Sequence, residues 1–114
     1  MFTLPSSVQV FICRDPIDLR KSFDSLTVLG TSVIGHDPLS GHLFVFFNRQ
    51  HNRVKILFWD RTGYCLYYKR LEAGTFRIPQ GTSPAISLPD LTLVLEGIDL
   101  AGARRRKRFF LQKP

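Results

Sequence analysis

The side chains able to do covalent or metal chemistry in this sequence are nine carboxylates, three histidines and two cysteines, and their spacing decides what they are for. Asp15 and Asp18 flank a proline in Asp15-Pro16-Ile17-Asp18, where an aspartate cap and a second carboxylate three residues on suit the positive end of a helix. Asp24 falls on the exposed face of that helix, Asp60 opens a turn, Asp90 follows a helix cap and Asp99 follows a helix end. Structural duties account for these groups better than a catalytic pair does. His36 and His42 stand six apart around a proline turn and His51 sits in a hairpin loop, without the cysteine pairs or the H-x-x-x-H spacing of a zinc site. Cys13 and Cys65 lie outside any C-x-x-C spacing and read as reduced thiols, as in a cytoplasmic protein, with Cys65 a small hydrophobe near Trp59. P-loop, G-x-G-x-x-G and G-x-S-x-G signatures are missing, the glycines being scattered at turns. The expectation is a protein with no catalytic residue, no metal and no cofactor.

The informative chemistry is positive charge beside aromatic rings. A net charge of +7, from 16 Lys and Arg against 9 Asp and Glu, is carried by two islands. Residues 49 to 77 hold seven cations and two carboxylates, and residues 104 to 114 hold six cations and no carboxylate, whereas the stretches 1 to 48 and 78 to 103 are each net acidic. The first island supplies Arg49, Arg53, Lys55, Arg61 and Lys69, interleaved with Trp59 and Tyr67; the second is Arg104, Arg105, Arg106, Lys107 and Arg108. Cations that follow a phosphate backbone beside rings that stack on bases are the means of sequence-tolerant nucleic-acid binding, so these twelve residues are the candidate nucleic-acid or partner contacts. A solvated sheet face explains the central island about equally well. Five consecutive cations at 104 to 108 repel one another and read as a disordered arm seeking phosphate or acidic protein.

The elements that must position these groups follow from periodicity. Gln9 to Cys13 reads as a short strand, and a helix over 16 to 34 starts at the Asp15 cap, aligns Leu19, Phe23 and Leu26, and ends at Gly30 or Gly35. From His42 to Pro79 the composition is that of strands, broken at 48 to 52, 60 to 63 and 72 to 74, which predicts a meander of four strands. With Arg61-Thr62-Gly63 as a three-residue loop and Gly63 left-handed, Asp60 faces Tyr64. Val54, Ile56 and Phe58 then share the face that meets the first helix, while Trp59 opposes Cys65, Leu57 opposes Tyr67 and Lys55 opposes Lys69 on the other. Like charges opposed on a ladder imply a wrong register or a surface that expects an anion. Residues 80 to 86 read as a loop, and Ser87-Leu88-Pro89-Asp90 caps a second helix over 88 to 97, with Leu91, Val94, Leu95 and Ile98 on one face and Gly97 at its end.

At 114 residues and 44% hydrophobic the chain can build one core, which excludes wholesale disorder. Its longest apolar runs, such as Leu43 to Phe47, are far too short to span a bilayer, and Met1 to Pro16 lacks the basic start and cleavage site of a secretory signal. The expected organisation is a single α+β domain over 1 to 103, a mostly antiparallel sheet of four or five strands with a helix on one face and a short C-terminal helix, followed by the basic tail 104 to 114.

Four blocks in this order, Asp18-Leu19-Arg20-Lys21-Ser22-Phe23-Asp24-Ser25-Leu26, Asp37-Pro38-Leu39-Ser40-Gly41-His42-Leu43-Phe44-Val45-Phe46, Arg53 to Phe76, and Leu91 to Asp99, carry a family likeness. The chain resembles the TnpB-type accessory protein, the short second reading frame, of a bacterial insertion-sequence family (the sixty-six type) whose DDE transposase is a separate chain. The likeness covers nearly all of the sequence to about Leu100 and departs from the family at Ser22, Ser25 and Ile78, where glycine, glycine and tryptophan are usual. It implies a non-enzymatic part in DNA transposition and recombination of a mobile element, with DNA and the element's transposase as partners, and it brings no catalytic residues with it. The competing class is a protein-interaction or dimerisation module without direct DNA binding, self-association being left open, and a nuclease stands third.

Overall fold

In the computed structural model the residues described are 7–99 and 104–105. Strand β2, Leu43–Phe47, is apolar at every position and buried at every position, as a strand covered on both faces must be. Around it lie β1 (Val10–Ile12), β3 (Arg53–Trp59), β4 (Tyr64–Arg70) and β5 (Ala85–Ile86), in the order β4-β3-β2-β1-β5. All neighbours are antiparallel except β1 and β2, which run parallel and are joined by a long crossover carrying α1 (Phe23–Leu29). The helix α2 (Leu88–Leu95) follows β5, and a separate ribbon pairs β6 (Ile98–Asp99) with β7 (Arg104–Arg105). The fold is α+β, a five-stranded, mostly antiparallel sheet with a helix on each face.

Alternation along the strands sends residues to two cores. Val10, Ile12, Val45, Phe47, Val54 and Ile56 pack with Leu91 and Val94 of α2, whereas Phe11, Phe44, Phe46 and Leu57 pack with Leu26 of α1 and with Ile34. The face of Val54, Ile56 and Phe58 thus meets the second helix and not the first. Register differs as well. The last rung joins Trp59 to Tyr64, so the loop is Asp60 to Gly63, and the left-handed residue in it is Arg61 (φ 80°) instead of Gly63. The Asp60 amide donates to the Gly63 carbonyl at 3.1 Å to close this four-residue turn. One extra loop residue turns every β4 side chain to the other face: Lys55 opposes Tyr68, Leu57 opposes Leu66, Ile56 opposes Tyr67, and Lys69 opposes Val54.

Other expectations shift at element ends. Pro16 does not start α1, because the chain from Cys13 onward stays beside β2: the Cys13 amide donates to the Val45 carbonyl and the Ile17 amide to the Phe47 carbonyl, both at 2.9 Å. Asp18 accepts from the Arg20 amide at 2.9 Å and bends the chain there, so the helix starts after Ser22, and Leu19 is buried from outside it. Past Leu29 the helix widens into a π turn over Gly30–Ile34, which ends at Gly35 (φ 85°). The expected fourth strand after Gly74 is not one; Phe76 instead donates its amide to the His51 carbonyl at 2.6 Å and buries its ring against Phe47. The segment read as a loop up to Ile86 ends in β5. Helix α2 forms as its cap chemistry dictates, with Ser87 Oγ accepting from the Asp90 amide at 3.1 Å, and Gly97 (φ 77°) stands beyond its end.

Candidate nucleic-acid interface

Strands β3 and β4 each hold seven residues, about 20 Å of chain, and α1 with its π turn covers only the part of their length near Leu57 and Leu66. The end carrying Arg53 and Tyr68 is left open on that face. Segment 16 to 20, pinned by the Ile17 bond to β2, forms the opposite wall, and the turn between β2 and β3 closes one end. The result is a groove of about 610 Å³ lined among others by Asp18, Arg20, Arg49, Arg53 and Tyr68.

The turn is held by Asn48, whose Oδ1 accepts from the amides of Asn52 and Arg53, both at 3.0 Å, so that Arg49 projects from a fixed loop. Arg53 Nη1 donates to the Tyr68 hydroxyl at 3.0 Å. Lys55 is almost wholly buried, donates from Nζ to the Lys21 carbonyl at 2.8 Å, and holds its ammonium 5.0 Å from the centre of the Tyr68 ring. Asp18 and Arg20 form a bidentate pair, Nε to both carboxylate oxygens at 3.0 and 2.9 Å and Nη2 to Oδ2 at 2.6 Å. The hydrogen bonds from Arg20 hold the Asp18 carboxyl down to a pKa of about 2 and push the arginine up. Since that pair is neutral as a unit, the net positive charge of the groove is that of Arg49 and Arg53.

Of the sequence candidates, the structure brings together Arg49, Arg53 and Lys55. Trp59, stacked edge-on against Tyr64 at 5.1 Å, and the exposed Arg61 lie at the other end of β3. Tyr67 packs into the α2 core, and Lys69 reaches the end of α2, where Nζ donates to the Leu95 carbonyl at 2.8 Å. Lys55 and Lys69 are therefore on opposite faces, each bound to a carbonyl, and form no anion-seeking pair; the like-charge conflict came from the slipped register. Arg104 and Arg105 pair through their backbones with Asp99 and Ile98, while Arg106, Lys107, Arg108 and the rest of the tail lie outside the described residues. Sequence reasoning missed Tyr68 and Arg20. A four-residue loop between β3 and β4 would have placed Tyr68 beside Lys55; the approach of Arg20 carries no local signal.

Neither thiol is an activated nucleophile. Burial pushes the Cys13 thiol up, and loss of hydration followed by the neighbouring Asp60 pushes Cys65 up. Among the described residues no three of His, Cys, Asp and Glu converge as metal ligands would, and no helix is long and apolar enough to cross a membrane.

Two uncharacterized proteins of Sinorhizobium fredii are similar to this chain. One, y4hO, is 40% identical over 100 residues, covering 84% of this chain and 87% of the relative; the other, y4jC, is 28% identical over 101 residues, covering 87% and 86%. No solved structure matches. The family model described as IS66 Orf2-like protein matches residues 8–105, which takes in both cores, the groove and the β6–β7 ribbon, and the chain accordingly belongs to that family of insertion-sequence accessory proteins.

Proposed function

We propose that this accessory protein assists transposition by contacting DNA, with the transposase of the same element as its protein partner, and that it catalyses no step itself. The observation that carries the reading is the walled groove whose unneutralised charges are Arg49 and Arg53. Support for a non-catalytic role comes from what the carboxylates do: Asp18 holds Arg20, Glu72 holds Arg70, and Asp37 accepts from the Leu39 amide. The tail cations Arg104 to Arg108 add phosphate-seeking charge in this reading.

The test is binding of the element's terminal duplex over a series of salt concentrations. Each neutralised phosphate contributes about 0.9 to the slope of log affinity against log salt, so Arg49→Ala with Arg53→Ala should flatten it by about 2, and removing the tail by about 3 to 5. Capture of the transposase, with and without that DNA, tests the protein partner. A slope unchanged by either alteration rejects DNA contact.

One observation favours a second reading, a protein-interaction or dimerisation module. Strand β4 is an edge of the sheet, seven residues long, and Tyr64, Cys65, Leu66 and Tyr67 along it are each only half-buried. Sedimentation of the full chain distinguishes this reading by mass, since edge pairing gives a dimer in the absence of DNA.

A further inference from the structure

We propose that the groove takes an unpaired nucleotide, its phosphate on Arg49 and Arg53 and its base against the Tyr68 ring. This rests on the reading that the protein contacts DNA at this face, and it names the form of DNA recognised. A volume of about 610 Å³ lies within the range of sites that hold one small molecule, and segment 16 to 20 and the β2–β3 turn line the groove beside Tyr68, so the ring is reached from within a recess.

Tyr68 is built as a platform. The residue lies on the edge strand β4 and is 50% exposed, and it is held twice, by the Lys55 ammonium over the ring and by Arg53 at the hydroxyl. A ring fixed in this way loses little freedom when a base stacks on it, and stacking tolerates any base because every base has a π face. Arg53 gives one Nη1 bond to Tyr68, leaving the rest of its five-donor fork for a phosphate oxygen. Arg49 has no ion pair among the described residues, and the groove's carboxylate, Asp18, is matched by Arg20 and so repels a phosphate weakly. An acidic peptide would satisfy the arginines but would leave the exposed ring without a flat partner.

The test uses the full chain and fluorescence anisotropy with a labelled single-stranded oligothymidylate and a hairpin duplex of equal phosphate number. For Tyr68→Leu the expected result is a loss of about tenfold in single-strand affinity with duplex affinity within about twofold, and for Tyr68→Phe, which keeps the ring but gives up the Arg53 bond at the hydroxyl, a smaller single-strand loss of about threefold. Thermal melts of each variant establish folding, and Arg49→Gln, at an exposed turn, should weaken both DNAs. Equal loss on both DNAs with Tyr68→Leu, or loss with Tyr68→Phe as large as with Tyr68→Leu, overturns the base-stacking site. Duplex binding with no single-strand effect overturns it while leaving the DNA reading intact, whereas failure of the parent protein to bind either DNA overturns both. Displacement of the oligonucleotide by polyglutamate at equal charge concentration would assign the groove to acidic protein instead.

Discussion

Replacing Lys69 by Met separates a cation that supports the fold from one that serves a ligand. Lys69 Nζ lies 2.8 Å from the carbonyl of Leu95, the last residue of α2, where helix carbonyls lack intrahelical donors and the macrodipole is negative. A hydrogen bond from a charged donor contributes about 1.5–3 kcal/mol, which here already includes most of the dipole interaction. Met keeps the apolar stem that crosses the α2 core, so little packing is lost. The Leu95 carbonyl is part-buried and water can replace some of the lost bond, which puts the expected cost near the lower end, about 1.5–2 kcal/mol. At about 4 °C per kcal/mol for a domain of this size, the melting midpoint should fall by about 6–8 °C. Thermal melting and urea titration measure this directly, and the salt slope for DNA is measured on the same protein. Unchanged melting combined with a flattened salt slope would refute the reasoning, since Lys69 would then be a ligand contact and its bond to α2 without energetic consequence.

Three further outcomes follow from particular contacts. Gly30→Ala should destabilise by about 1 kcal/mol or more, although alanine favours helix by about that amount, because its Cβ would stand 3.2 Å from Phe44 Cδ2 and 3.3 Å from Pro38 Cγ; chemical denaturation gives the sign. The Asp18 carboxyl should titrate at about 2 by carbon-detected NMR and move up towards the ordinary carboxylate range in Arg20→Ala. Because its folded pKa lies below the unfolded value, whatever stability this exposed pair adds is present above the unfolded pKa and is lost as pH falls towards 2. Arg14 donates to the carbonyls of Ser83 and Pro79, so Arg14→Ala should speed amide exchange at Ile12, whose amide donates to Pro84, with little change in the α1 core.

How much of this was legible in the sequence depended on whether the deciding bond was local. Helix α2 could be read because Ser87 Oγ accepts from the Asp90 amide three residues on and nothing distant competes. Asp15-Pro16-Ile17-Asp18 carries much the same cap signature, yet there the Phe47 carbonyl takes the Ile17 amide and Arg20 takes the Asp18 carboxylate, so a partner thirty residues away and a short charged turn override it. The parallel pairing of β1 with β2 has no local mark at all. Register turned on one backbone angle. Glycine is the usual left-handed residue in a hairpin loop, and here Arg61 takes that conformation while Gly63 does not, so a rule that is sound for most loops misplaced a whole strand by one residue.

That single residue decides which cations are available to a ligand. Seven cations between residues 49 and 77 suggested a sheet face that mixes cations with aromatic rings. In the folded chain Lys55 and Lys69 are bound to backbone carbonyls on opposite faces, and Arg70 is paired with Glu72 at 2.8 Å. Arg49 and Arg53 gather at one end of β3, and Arg61 stands beyond the other, a strand length of about 20 Å away. A cation whose donors are already engaged inside the protein adds to long-range attraction but has no hydrogen bond to offer a phosphate. Net charge bears on how fast an anionic ligand arrives, and the places such a ligand can be held are fixed by which N–H groups the fold leaves unused. By that criterion the groove floored by Tyr68 is a better-defined candidate than the basic stretch from which it was sought, because there free guanidinium donors, a held ring and a wall coincide.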